Sequence, residues 1–224
     1  CLPKGWYVLN NARVIQLKSG RILVPLAFHR MKAAGGKDSA ATLFCVLSDD
    51  GGATWRTGAS VDVRETDGCR VDTQEPGVIE LKDGRVMMWA RTDGGAQYAG
   101  CSSDGGITWG SFAPMGLEGP LAPATIRRLK SGELLAIWND HRGHPEYGSD
   151  RVPLSIALSA DEGRTWSASV PIEDDRENSF CYTALVETGD DLLLAYCMKR
   201  VRKLDTTRVR RVSGRVIDGL RRKE

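Results

Sequence analysis

Short apolar runs separated by Gly and Asp turns recur along the whole chain, and none of them continues at a helical spacing. The clearest case is Gly77-Val78-Ile79-Glu80-Leu81 and Arg85-Val86-Met87-Met88-Trp89-Ala90, set on either side of Lys82-Asp83-Gly84. An Asp-Gly turn between two such runs predicts a β-hairpin. Three further units overlay on it: Ala12 to Phe28 around Lys18-Ser19-Gly20, Ala124 to Asn139 around Lys130-Ser131-Gly132, and Thr183 to Cys197 around Thr188-Gly189-Asp190. Their turn glycines lie 64, 48 and 57 residues apart.

Three of these hairpins are followed by one octet, S-x-D-x-G-x-T-W: Ser48 to Trp55, Ser102 to Trp109 and Ser159 to Trp166, with first residues 54 and 57 apart. Asp and Gly suit a tight turn there, and the Trp is expected to give the next strand a large buried anchor. Several short strands per period of this length predict the blades of a β-propeller. One four-stranded sheet cannot cover both its faces, so such sheets pack face to face in series.

Composition adds limits rather than a function. At 224 residues, 41% hydrophobic and 27% charged, the chain can bury a sizeable core. No apolar run reaches the length of a membrane-spanning helix. Of the 31 Lys and Arg and 29 Asp and Glu, eleven and three respectively lie between Lys199 and Glu224, so the basic character belongs to the tail. Thr207-Arg208-Val209-Arg210-Arg211-Val212 alternates there and predicts a further strand that helps close a ring, with a solvated basic face. Without an aromatic platform, its charge is not read as a nucleic-acid site. The cysteines Cys1, Cys45, Cys69, Cys101, Cys181 and Cys197 contain no C-x-x-C. The histidines His29, His141 and His144 offer only a lone H-x-x-H in a loop, which does not favour a zinc reading. Cysteines inside apolar strands are expected to be buried thiols. The chain starts at Cys1-Leu2-Pro3 with no targeting signal, and it reads as a fragment that begins inside a repeat array.

The triplicate octet resembles the Asp-box, or bacterial neuraminidase repeat, and the chain resembles the sialidase superfamily. The resemblance implies an all-β, six-bladed propeller, of which residues 1–224 supply about four blades as a single domain. It places the boxes at the turn between the third and fourth strands of a blade, in a structural role. It also implies an exo-α-sialidase: three arginines hold the sugar carboxylate, a tyrosine activated by a glutamate attacks the anomeric carbon, and an aspartate is the acid/base. Glu75 in Gln74-Glu75-Pro76-Gly77 matches the glutamate. Arg91 after Trp89-Ala90 matches the second arginine. Arg151 in Asp150-Arg151-Val152-Pro153 resembles the third, in preference to Arg142, and Tyr182 in Cys181-Tyr182-Thr183 resembles the nucleophile. The first arginine and the acid/base aspartate would belong to blades preceding Tyr7, and no aspartate between Asp38 and Asp72 has a context that transfers the acid/base role.

The chemistry accounts for these residue types. A carboxylate nucleophile would meet the substrate's own carboxylate as a like charge, whereas a neutral phenol does not. A phenol of ordinary pKa near 10 needs a base beside it, which is the part given to Glu75. The planar arginine fork donates two parallel hydrogen bonds to a carboxylate and stays charged. Glycosidases ordinarily use two carboxylates, and sialidases with a tyrosine nucleophile depart from that rule. On composition alone each residue has a plainer role: Glu75 as a solvated loop residue, Arg91 and Arg151 as strand ends, Tyr182 as a core tyrosine. The reading is a retaining glycoside hydrolase acting on sialylated glycans, without metal or organic cofactor, and export to the periplasm or the exterior fits an enzyme that meets glycans. Two alternatives stand beside it: a non-catalytic Asp-box propeller that binds carbohydrate or protein, and an Asp-box glycosidase acting on neutral polysaccharide, which has no need of Arg91 and Arg151.

Overall fold

The computed structural model of the chain describes residues 2–63, 71–200 and 206–222. Cys1 and Cys69 lie outside them. The strands fall into four antiparallel sheets. The first holds β1 (Trp6–Val8), β2 (Ile15–Gln16), β3 (Ile22–Met31), β4 (Lys37–Ser48) and β5 (Arg56–Thr57), in the order β1-β3-β4-β5 with β2 also on β3. The second holds β6 (Thr73–Glu80), β7 (Val86–Thr92), β8 (Ala96–Ser102) and β9 (Ala113–Glu118), in chain order. The third holds β10 (Thr125–Arg128), β11 (Leu134–Asn139), β12 (Leu154–Ser159) and β13 (Val170–Glu173), again in chain order. The last is β14 (Asn178–Thr188), β15 (Asp191–Arg200) and β16 (Thr206–Val212), followed by helix α1 (Gly214–Arg221). The four hairpins read from the sequence are β2–β3, β6–β7, β10–β11 and β14–β15.

Residues up to Gly94 with Tyr98–Pro114 form one compact unit, and Gly95–Gln97 with Met115 onward form another. In the first, Leu23, Leu43, Leu47, Met88 and Trp89 are almost completely buried. In the second, Leu135, Ile137, Ile156, Leu158, Phe180, Leu194 and Tyr196 build one apolar cluster that Ile217 and Leu220 of α1 join. Every residue of β7, β11 and β12 is buried. Inner strands covered on both faces read as continuous apolar runs rather than alternating ones, as these do.

Each octet is the turn from a third to a fourth strand and is built in one way. Ser48 Oγ donates to Asp50 (2.8 Å) and accepts from Gly52 N (2.8 Å), while Asp50 accepts from Thr54 N (2.8 Å). Ser102, Asp104, Gly106 and Thr108 repeat this at 2.7, 2.8 and 2.9 Å, and Ser159, Asp161, Gly163 and Thr165 at 2.8, 2.7 and 2.9 Å. The side chains satisfy turn N–H groups that the ladder leaves open. The box tryptophans are not buried anchors, contrary to expectation: Trp55 is 47% exposed and Trp109 and Trp166 are half-buried. The Trp55 ring covers its own turn, with Nε1 donating back to Gly52 O at 2.9 Å, whereas Trp166 Nε1 donates to Met115 O at 3.0 Å.

A second recurring contact ties hairpin to hairpin. The Glu80 carboxylate accepts from Lys18 N at 2.8 Å in the first unit, and Glu187 accepts from Lys130 N at 3.1 Å in the second. The tail holds the expected strand, but its basic face is not merely solvated. Arg208 and Arg210 donate to the buried Glu173 carboxylate at 2.9 and 3.1 Å, and the Tyr196 hydroxyl donates to it as well. Helix α1 was not foreseen. Ser213 caps it by accepting from Arg215 N, and Arg221 in its last turn donates to Glu133 at 2.7 Å.

Candidate active site

In the first unit the β6–β7 register runs from Gln74 opposite Arg91 to Gly77 opposite Trp89, so two residues of β6 face one of β7. The extra residue makes a bulge, and Glu75 occupies it with φ of 50°. A left-handed backbone is costly for a residue with a side chain and persists only where its surroundings hold it. Here Thr73 Oγ1 donates to Ala41 O at 3.0 Å and Gln74 Nε2 to Ser39 O at 3.2 Å. Gly77 completes the bulge by lacking a side chain: a Cβ there would stand 2.3 Å from the Trp89 ring and 2.7 Å from Arg13 Nη1.

The bulge aims the Glu75 carboxylate at Arg91, whose Nη1 donates to Oε2 at 2.9 Å, and both side chains are about nine-tenths buried. Arg91 Nε finds no partner among the described residues and remains an uncommitted buried donor. Around this pair stand two residues that the sequence reading passed over. Arg13 is buried with its guanidinium 5.1 Å from the Trp89 ring centroid. His29 is fully buried, and because a carbonyl only accepts, its Nδ1 carries the proton given to Asp38 O at 2.8 Å. Burial, the largest influence, holds the His29 pKa below its ordinary value, so the ring is neutral at pH 7 and its Nε2 is a bare acceptor. An arginine and a histidine flanking otherwise apolar strand ends were the only sequence signal for them.

The second unit repeats the device. The β14–β15 register runs from Cys181 opposite Cys197 to Ala184 opposite Ala195, and Tyr182 sits in the resulting bulge with φ of 58°. Glu75 stands five residues before Glu80, and Tyr182 five before Glu187, the two hairpin-tying carboxylates. Asn139 Nδ2 donates to Phe180 O at 3.2 Å, Thr125 Oγ1 to Thr183 O at 2.7 Å, and Phe180 N to Arg151 O at 2.9 Å, which clamps the bulge on both sides. The Arg151 guanidinium lies 6.0 Å from the Tyr182 ring centroid and donates from Nη1 to Cys181 Sγ at 3.2 Å. Burial pulls the Arg151 pKa down, but Cys181 and Tyr182 outweigh it and lift it above the ordinary value, so the guanidinium stays charged. Arg142 is committed elsewhere: its fork grips Asp140 at 2.9 to 3.2 Å and stacks 5.4 Å from the Trp138 ring.

The four residues singled out by sequence thus form two arginine-bearing pairs, Glu75 with Arg91 and Tyr182 with Arg151, each in its own unit. A cavity of about 240 Å³ opens beside Arg151, bordered by Arg176, Ser179 and Lys199. A larger one of about 690 Å³ lies between Lys130, Asp190 and α1 and contains none of the four. Among the described residues no three His, Cys, Asp or Glu side chains are grouped to hold a metal ion, and no helix is long and apolar enough to cross a membrane.

The model of the BNR repeat-like domain family matches residues 2–194. The chain belongs to this family. Within the sialidase superfamily it is 28% identical over 149 residues to the sialidase of Vibrio cholerae, a match that covers 57% of this chain and 19% of that protein. It therefore spans about a fifth of the length of the curated relative it matches. Among solved structures it resembles a protein of unknown function from Dyadobacter fermentans, with TM-score 0.69, 22% identity, 91% of this chain and 53% of that one. It also resembles Trypanosoma rangeli sialidase in complex with the inhibitor DANA, with TM-score 0.67, 16% identity, 96% of this chain and 33% of that one. These likenesses give the fold: an all-β propeller of which the BNR chain provides four blades, matching part of the sialidase propellers.

Proposed function

We propose that this BNR chain carries the glutamate, tyrosine and two of the arginines of an exo-α-sialidase, which releases terminal sialic acids with retention at the anomeric carbon. Tyr182 is the nucleophile, Glu75 takes its phenolic proton, and Arg91 and Arg151 hold the sugar carboxylate. The observation that carries this reading is the pair of matched bulges. Two backbone positions at equivalent places in their hairpins are both held left-handed, one bears a base and the other a phenol, and each has a buried or half-buried arginine beside it. Strained backbone of this kind gathers where a side chain must be aimed.

The chemistry divides as follows. Arg91 spends one Nη1 donor on Glu75 and keeps Nε uncommitted, which leaves its fork able to meet a carboxylate oxygen. The Arg151 charge over the Tyr182 ring favours the phenolate as the proton leaves. The covalent tyrosyl-glycoside then yields to water, and two displacements give net retention. The acid/base role is assigned to no residue of this chain.

The test is cleavage of a fluorogenic sialoside by the full-length protein. Tyr182→Phe is expected to abolish it, and Glu75→Gln to lower kcat by about 10²–10⁴-fold, the range for loss of a positioned general base. Because base and nucleophile act as a unit, the double variant should cost little more than Tyr182→Phe alone. Full activity in Tyr182→Phe would overturn the reading.

A further inference from the structure

Cys181 and Cys197 stand directly opposite each other on β14 and β15, and neither is in a disulfide. Opposed residues of an antiparallel pair point to one face of the sheet. Their Cα atoms lie about 4.5–5.5 Å apart, within the roughly 4.4–6.8 Å that a disulfide spans. No other described cysteine has this arrangement. Cys45 pairs with Pro25, and burial pushes its thiol up to about 12, while Cys101 pairs with Met87. Cys197 is exposed and Cys181 is buried, with Arg151 Nη1 donating to its sulfur at 3.2 Å. Ser179 and Lys199, the register pair two steps along the same face, border the cavity beside Arg151 together with Arg176. Arg151, Arg176 and Lys199 outnumber the Asp150 carboxylate in the lining of this cavity and favour the approach of an anionic oxidant.

We propose that Cys181 and Cys197 form a thiol–disulfide site, which a small anionic disulfide such as oxidised glutathione converts to a cross-strand bond, with a consequent change at Arg151 and Tyr182. Exchange begins at the accessible sulfur. The Cys197 thiolate attacks one sulfur of oxidised glutathione, a mixed disulfide forms, and the first glutathione leaves as a thiolate that takes up the proton Cys197 gave up. The Cys181 thiolate then attacks the Cys197 sulfur, the protein disulfide forms, and the second glutathione leaves and takes up the Cys181 proton. Two protein thiols are oxidised and one glutathione disulfide is reduced to two thiols. The Arg151 guanidinium stabilises the negative charge on Cys181 sulfur as it becomes a nucleophile. Once in the disulfide that sulfur is a poor acceptor, so Arg151 loses the contact that seats it over Tyr182, the next residue of the bulge. The pairing stands on strand register alone, and only its consequence for activity rests on the sialidase reading.

The experiment incubates the full-length protein with reduced or with oxidised glutathione, blocks the remaining thiols, and cleaves on the amino side of Asp190 and Asp191, which separates the two cysteines. The expected result is a cross-linked Cys181–Cys197 peptide after oxidation that disappears on reduction and never forms in Cys197→Ser. Recovery of both residues as blocked free thiols, or of Cys197 only as its glutathione adduct, overturns the pairing. In the same digests, acetylation of Tyr182 by N-acetylimidazole reports the coupling. Its rate should change about threefold or more on oxidation, as for side chains in direct contact, and stay constant in Cys197→Ser. Equal rates in cross-linked and reduced protein overturn the coupling. Neither readout needs sialoside cleavage, so a failure of the sialidase reading leaves this test intact.

Discussion

Replacing Arg91 by Met removes the ion pair that Arg91 makes with the buried Glu75 carboxylate. Both side chains are about nine-tenths buried, and Arg91 Nη1 donates to Glu75 Oε2 at 2.9 Å. Breaking a buried pair from one side costs about 3–5 kcal/mol because a desolvated charge loses its counter-charge. For a chain of this size that is a fall in Tm of roughly 6–20 °C. Glu75→Gln, which strands the arginine instead, should cost a similar amount. The double variant Glu75→Gln with Arg91→Met strands neither charge, so it should lose less than the two single losses added, with a coupling of about 1–3 kcal/mol. Urea unfolding followed by tryptophan fluorescence measures all four proteins, since Trp89 packs against Gly77 beside the pair. A drop of less than about 1 kcal/mol for Arg91→Met, with strictly additive variants, would refute the reasoning that the pair is held out of solvent.

Three further outcomes follow from other parts of the chain. Ser102→Ala removes the acceptor of the buried Gly106 N–H and should cost about 1–3 kcal/mol in urea unfolding without altering sialoside turnover. Gly77→Ala drives a methyl into the Trp89 ring and should destabilise by at least about 1–3 kcal/mol, visible as a lower Tm. The Glu133 carboxyl is drawn from its ordinary 4.5 to about 2, first by the Arg221 hydrogen bond. A depressed folded-state pKa gives stability that is present above 4.5 and is lost as pH falls toward 2. Acid titration of α1 docking should show a loss in that window in the wild type, and a flatter profile in Glu133→Gln.

The repeat was legible because it is local. Asp-Gly turns and S-x-D-x-G-x-T-W specify backbone geometry within eight residues, and all three boxes close with the same hydrogen bonds. The tryptophan burial was misjudged because an aromatic ring can cover a turn and remain half in solvent, which no alternation of polar and apolar residues reveals. Helix α1 escaped notice because only Ile217 and Leu220 of its eight residues are buried and its anchor, Arg221 on Glu133, joins residues far apart in sequence. Glu75, Arg91, Arg151 and Tyr182 came from a motif order, and the structure adds what holds each of them in its own unit. The left-handed bulges, the Thr125 and Asn139 clamps, and the buried His29 depend on long-range contacts, so the sequence gives no periodic sign of them. Cys197, expected to be a buried thiol, is exposed because it lies on the face of β15 away from the apolar cluster.

The five-residue step from bulge to tying carboxylate, present before Glu80 and again before Glu187, means that posture and chemistry are written in separate places. Backbone outside the kink fixes the pose, and whichever side chain occupies the kink inherits its aim. Repeating such a unit therefore multiplies pedestals, and a carboxylate in one copy and a phenol in another are choices made at one position on the same masonry.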